Sequence, residues 1–187
     1  MPVLRRSRWL GGWALSGILV WQSGTPFSIL SGRGTLNRAG GYRSTYNTAD
    51  TALDKQQLDA LLRFRMTGTG PLFVPASLIG PDGRAVADDG APFIGGQVFY
   101  NPGAGDIGAL QRRMFSGPWT FNLDAGALKT TRLTEHQSVE FRMETTNAPN
   151  HPQFLVGDQN INSPAFGKIT DTLTTSRRVQ FGLYYRF

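Results

Sequence analysis

His136-Gln137-Ser138-Val139-Glu140-Phe141-Arg142-Met143-Glu144-Thr145-Thr146-Asn147 decides the fold. Val139, Phe141 and Met143 stand at odd positions, while Ser138, Glu140, Arg142, Glu144 and Thr146 stand at even ones. Successive side chains of a strand point to opposite faces. As a strand, this run therefore has one apolar face and one charged face.

Three further runs carry the same period of two. At the end of the chain Val179, Phe181, Leu183, Tyr185 and Phe187 alternate with Arg178, Gln180, Gly182, Tyr184 and Arg186. Over about 120–130, Phe121, Leu123, Ala125 and Ala127 alternate with Asn122, Asp124, Gly126 and Leu128. Over about 9–22 the alternation is imperfect, because Ile18 and Val20 share the even set with Ser16 and Gln22. The third and fourth runs in chain order cover about 136–147 and 178–187.

Each run has about ten residues, the length a tilted strand needs to cross a bilayer. Strands of soluble sandwiches are usually about five or six residues long. Trp13 and Trp21 share a face eight residues apart. In a tilted strand they stand about 20 Å apart along the membrane normal, close to the spacing of two aromatic girdles. The connections are asymmetric, with five residues between the second and third runs, about thirty between the third and fourth, and about 95 between the first and second. Short turns on one side and long loops on the other mark an outer-membrane barrel. The expected class is therefore all-β, a partial transmembrane antiparallel β-barrel of about four long strands with long extracellular loops and one short loop helix.

The long loop, about 31–118, is expected to hold no membrane-crossing hairpin. Thr51 with Asp54 resembles a capping box, and Leu58, Leu61, Leu62 and Met66 follow at helical spacing. From residue 68 onward the loop is rich in Gly and Pro and reads as irregular, with turns at Pro81-Asp82-Gly83 and Asp89-Gly90.

The whole chain has 187 residues and a net charge of +6, and 16 of its 19 basic residues are Arg. They are scattered singly or in pairs such as Arg112-Arg113 and Arg177-Arg178, with no basic helix or RNA-binding signature, so nucleic acid is not an expected partner. Arg in a polar lumen or facing anionic lipid accounts for the charge equally well. With no Cys, thiolate metal sites and Cys nucleophiles are excluded. The basic start Met1-Pro2-Val3-Leu4-Arg5-Arg6 leads into an apolar stretch broken by Gly11, Gly12 and Ser16, which does not read as a signal peptide.

Gly103-Ala104-Gly105-Asp106-Ile107-Gly108 matches a dinucleotide-binding fingerprint, with Asp124 near the place of its ribose-binding acid. Pro102 separates it from the preceding apolar run, and Gly117-Pro118 stops any following helix, so a glycine-rich loop is the better reading. His136 and His151 are too few for zinc without Cys. Asp82, Asp88 and Asp89 lack the spacing of a calcium loop. Glu140 and Glu144 flank Arg142 and read as a lumen-facing charge ladder rather than an acid–base pair. No metal, cofactor or catalytic residue is expected, and the chain is not expected to be an enzyme.

Several stretches, taken in order, resemble the C-terminal end of the β-barrel of TonB-dependent outer-membrane receptors, in particular the Oar-like group with its carboxypeptidase-regulatory-like domain. They are Gly12-Trp13-Ala14-Leu15-Ser16-Gly17-Ile18, Trp21-Gln22-Ser23-Gly24-Thr25-Pro26-Phe27 and Gly117-Pro118-Trp119-Thr120-Phe121-Asn122-Leu123-Asp124. Arg132-Leu133-Thr134-Glu135, Asn150-His151-Pro152, Ile161-Asn162-Ser163-Pro164-Ala165-Phe166-Gly167-Lys168-Ile169 and the final Gln180-Phe181-Gly182-Leu183-Tyr184-Tyr185-Arg186-Phe187 follow. One departure is Thr145-Thr146-Asn147-Ala148-Pro149, where the family carries an apolar or aromatic run. The top of the third strand is therefore expected to end early.

The resemblance implies a bacterial outer-membrane location and energised uptake of a bulky or scarce solute. Four strands cannot close a barrel, for which about eight is the practical minimum. The implied partners are thus outer-membrane lipid, the rest of the receptor barrel and its plug, and TonB indirectly through that plug. Asn122, Asp124, Glu140, Arg142 and Glu144 would face the lumen, and Trp13 and Trp21 would sit in the aromatic girdle. The alternative function is a non-transport structural or adhesive β-sheet protein of the cell surface.

The resemblance also implies that the barrel-assembly machinery reads Val179, Phe181, Leu183, Tyr185 and Phe187 by strand addition. Deleting Phe187 from the parent protein is expected to lower the amount assembled in the membrane, measured in cell envelopes. Protein already inserted should keep about its original stability, since one buried Phe contributes only about 1.5–3 kcal/mol and a girdle position less. Unchanged yield and rate would reduce Phe187 to an ordinary interfacial aromatic.

Overall fold

The computed structural model describes residues 10–35, 47–87 and 96–187. They form two compact units. The first is one antiparallel sheet of four long strands, paired in chain order: Trp13–Gln22, Thr120–Arg132, Ser138–Thr146 and Arg178–Arg186. The start of the expected first run at Trp9 lies outside the described residues. The strand itself opens after Gly12, whose φ is 78° and whose hypothetical Cβ would stand 2.3 Å from the Thr130 carbonyl oxygen, so only glycine fits.

Register fixes the two faces. Trp13 pairs with Lys129, Ala127 with Met143 and Phe141 with Leu183, so odd residues meet odd residues across all three ladders. Phe121, Leu123, Val139, Phe141, Met143, Phe181, Leu183 and Tyr185 therefore share one face. Asn122, Asp124, Glu140, Arg142, Glu144 and Gln180 share the other.

The ends of the sheet differ. Residues 133–137 close a tight turn in which the Leu133 and Thr134 amides both donate to the Gln137 carbonyl, at 2.9 and 3.3 Å. His136 and Gln137 are thus turn residues, and the third strand begins two residues later than its periodicity suggested. Both long connections, residues 23–119 and 147–177, leave from the opposite end of the sheet.

The second unit, Ser23–Trp119 with Phe154–Thr172, keeps the mostly irregular backbone expected of the long loop but is compact. It has its own core, which includes Phe27, Ile29, Leu58, Phe73, Val74, Phe99, Ile161 and Phe166. Phe27 meets Phe73 edge-on at 4.6 Å, and Phe99 meets Phe166 at 5.9 Å. Its strands are only two or three residues long, for example Leu30–Ser31 with Asn47–Thr48 and Asp50–Thr51 with Phe99–Tyr100. Strands that short carry no readable period.

Residues 154–172, although far away in sequence, thread this unit. The Leu30 amide donates to the Gln159 carbonyl at 2.8 Å, Ile161 to Leu30 at 2.8 Å, Ala85 to Ile161 at 3.0 Å and Phe73 to Gly167 at 3.0 Å. The Ile161–Phe166 stretch of the resemblance is therefore core: both side chains are fully buried.

The helix is Lys55–Leu61, and its N-cap is Asp54 rather than Thr51. Asp54 accepts from the Gln57 amide at 2.8 Å, and the Gln57 side chain accepts from the Asp54 amide at 3.0 Å, which completes a capping box three residues later than expected. Leu58 is buried, but Met66 lies on the strand Arg65–Thr67 and is exposed. The turn at Asp82-Gly83 is present, with Gly83 at φ 86° and the Gly83 amide bonded to the Gly80 carbonyl at 2.9 Å. Asp88, Asp89 and the Asp89-Gly90 turn lie outside the described residues.

Two outcomes follow from this architecture. Phe166→Ala removes a fully buried ring and is expected to cost about 3–5 kcal/mol. Limited proteolysis should show faster cleavage between residues 47 and 119. In membranes, Gln180→Cys should react with a water-soluble maleimide while Leu183→Cys should not; equal labelling of the two would contradict the assigned faces.

Candidate functional site

The candidate site is the sheet itself, considered as a wall with two chemistries. Its odd face exposes Leu15, Leu19, Trp21, Phe181, Leu183 and Tyr185, with Leu15 81% and Leu183 73% accessible. A contiguous apolar surface of this kind needs an apolar neighbour. Trp13 opens the first long strand and Trp21 lies one residue before its end, so the two indoles mark opposite ends of the face. Val179, Phe181, Leu183 and Tyr185 line it along the fourth strand. Phe187 follows that strand, exposed, with its ring 6.0 Å from that of Tyr185.

Lys129 is the one charged residue among the strand positions of this face. Its ammonium lies 5.5 Å from the centre of the Trp13 ring and donates to the Gly11 carbonyl.

The even face centres on Glu140. Its Oε1 accepts from Arg142 Nε at 2.6 Å and lies 2.5 Å from Nη2, and its Oε2 lies 3.3 Å from Arg186 Nη2. Cross-strand pairing explains the cluster: Glu140 stands opposite Tyr184, Ser138 opposite Arg186 and Arg142 opposite Gly182. Because Gly182 has no side chain, the Tyr184 ring fits close above it, and the Arg142 guanidinium stacks on that ring at 4.9 Å. Glu140 is only 9% exposed because its own partners cover it. A carboxylate held by two guanidiniums ties the third and fourth long strands together.

Asp124 has a different task. Its Oδ1 accepts from Asn122 Nδ2 at 3.0 Å and from the Asn147 amide at 2.9 Å. Asn147 takes the left-handed conformation, φ 49°, which asparagine tolerates better than most residues. The third strand therefore stops at Thr146. The buried Asn147 side chain then donates to the Thr175 carbonyl at 2.9 Å and accepts from the His151 amide at 3.2 Å. The Asn-His-Pro element is held through its backbone, with the His151 side chain exposed.

Of the five residues assigned to the lumen, the fold thus brings Asn122 to Asp124 and Glu140 to Arg142. Glu144 borders an open concavity of about 360 Å³ with Ser16, Asp124, Gly126, Arg178 and Gln180. Reading the sequence missed Asn147, Gly182, Tyr184 and Arg186 as working parts. The one signal for Asn147 was the loss of the apolar run before Asn150.

In the dinucleotide-like stretch Gly105 takes a positive φ of 88° and Gly108 has a packing duty. A Cβ on Gly108 would stand 1.8 Å from the Thr48 carbonyl oxygen, and Thr48 Oγ1 donates to the Gly108 carbonyl at 3.1 Å. No helix follows them.

No curated protein and no solved structure matches the chain. A family model, described as an outer membrane beta barrel domain, matches residues 4–180. With nearly the whole chain matched and a sheet that is apolar on one face and charged on the other, the chain belongs to the outer membrane beta barrel domain family, and its place is the outer membrane.

Proposed function

We propose that this chain forms the C-terminal wall of a TonB-dependent receptor barrel of the Oar-like group and serves energised solute uptake. The observation that carries the reading is that the stretches resembling that group occupy working positions in the fold. Gly12 to Ile18 open the first long strand, and Phe121 to Asp124 begin the second. Ile161 and Phe166 fill the core of the second unit, and Gln180 to Arg186 lie on the last strand. On this reading the odd face meets lipid, the even face lines the passage, and further strands and a plug complete the barrel. The barrel-assembly machinery inserts it, and no catalytic step is involved.

Uptake assays in the parent organism test the reading. Deleting the gene and deleting TonB should each abolish accumulation of the same members of a panel of labelled peptides, glycans and metal chelates. Unchanged accumulation after both deletions would sink the proposal. Loss of surface attachment alone would favour the structural or adhesive alternative.

A further inference from the structure

The second unit holds a cavity of about 460 Å³ beside the hairpin of Arg65–Thr67 and Gly70–Leu72. Pro71, Leu72, Ile79 and Ile169 give it apolar walls, and Lys168 is its one charged lining residue. Sites for small molecules are typically concavities of about 300–1,000 Å³, mostly apolar, with a few placed polar groups.

The backbone around the cavity is fixed before anything binds. Leu72 bridges Lys168, the Ile169 amide donates to the Pro71 carbonyl at 3.2 Å, and the Ile79 amide donates to the Ala76 carbonyl at 3.1 Å. Leu72 and Ile169 are buried, so two of the walls belong to the packed interior of the unit. At the hairpin tip a Cβ on Gly70 would meet nothing within 4 Å, which leaves that side open.

We propose that this cavity binds a short unbranched aliphatic carboxylate, with the carboxylate on the Lys168 ammonium and the chain along Leu72, Ile79 and Ile169. The inference rests on the second unit alone and is independent of energised uptake.

Charge selects the head group. No lining residue is Asp or Glu, and among the described residues the exposed Lys168 forms no ion pair. Asp171, one residue past the lining Thr170, accepts from the Thr170 hydroxyl at 2.9 Å. The other lining hydroxyl is that of Thr69. Thr67 gives its one hydroxyl hydrogen to the Gly70 carbonyl, so the Thr69 hydroxyl is the donor in its 3.2 Å contact with Thr67. Both lining hydroxyls thus spend their hydrogens inside the protein. Lys168 is then the one side chain of the lining left to donate to a ligand. A single ammonium matches a single carboxylate. A phosphate monoester, with three acceptor oxygens and close to two charges, would be left short of donors.

The walls select the tail. They are aliphatic, and each methylene that leaves water for such a surface tightens binding by up to about fourfold. A chain of about six carbons spends this gain without needing any further polar partner.

The test is titration of the full chain in detergent micelles with hexanoate, followed by NMR of isoleucine methyl groups. The Ile79 and Ile169 methyls should shift and saturate. Those of Ile18 and Ile107, both exposed and away from the cavity, should not. Butyrate should bind about tenfold more weakly than hexanoate. Hexanol, which has the chain without the charge, should also bind at least about tenfold more weakly.

Lys168→Gln should weaken hexanoate binding about tenfold or more and leave hexanol unchanged, while Lys168→Arg should keep binding within severalfold. If Lys168→Gln does not fold, Ala76→Phe at an exposed position of the lining fills the cavity and should abolish the saturable shifts. Uniform, non-saturating shifts at all four isoleucines would mean partition into the micelle and overturn the proposal. Equal affinities for hexanoate and hexanol, or for hexanoate and butyrate, would overturn the assigned head group or tail.

Discussion

Everything in the sheet depends on its being one residue thick between two different solvents. Backbone N–H and C=O groups inside a bilayer must find partners within the protein, and a β-sheet meets that need by pairing strands. The pairing then settles the side chains. Because odd residues meet odd residues in all three ladders, a single parity assigns every strand position to the apolar face or to the charged one. A slip of one residue in a ladder of the third strand would set Glu140, Arg142 and Glu144 against the apolar set of the neighbouring strand. In the last ladder the Glu140 cluster resists such a slip, because Tyr184 and Arg186 meet Glu140 and Arg142 in only one register.

The same constraint explains why the sheet cannot be the whole of a barrel. The first and fourth long strands each have one edge unpaired among the described residues. Unpaired edges are costly in a hydrocarbon environment and are removed only by closure. The second unit solves a different problem. Its backbone is mostly irregular, so its stability rests on buried side chains such as Phe99 and Phe166 and on hydrogen bonds from residues 159–167. Two insertions separated by the second and third long strands build one core, which ties the long connections to each other.

This difference also decides what the sequence made legible. Val139, Phe141 and Met143 announce their strand because alternation over about ten residues is a strong periodic signal. The second unit has no comparable signal: Leu30 pairs with Thr48 and bridges Asn160, contacts that are nonlocal and only a residue or two long. The N-cap illustrates the ambiguity at close range, since Thr51 and Asp54 are both capping types and only the fold shows that Gln57 answers Asp54. The Glu140 cluster was half visible. Its alternation put Glu140 and Arg142 on one face, but the approach of Arg186 depends on the register of the last strand, and the place of Tyr184 depends on the missing side chain of Gly182.

Lys129 is the residue that strains the parity rule, and depth resolves the strain. It is the one charge on the apolar face, where a lysine at the bilayer midplane costs about 2–4 kcal/mol. Near the interface that cost falls to about 0–1 kcal/mol. Its cross-strand partner is Trp13, the first residue of the first long strand, so Lys129 sits at the rim of the apolar band rather than at its centre. The Trp13 ring and the Gly11 carbonyl hold the ammonium there. A cation resting on an indole face gains electrostatic attraction from the ring. Lys129 therefore does not breach the two-sided wall; it lies toward the turn end of the apolar face, one row before Val139 and Tyr185.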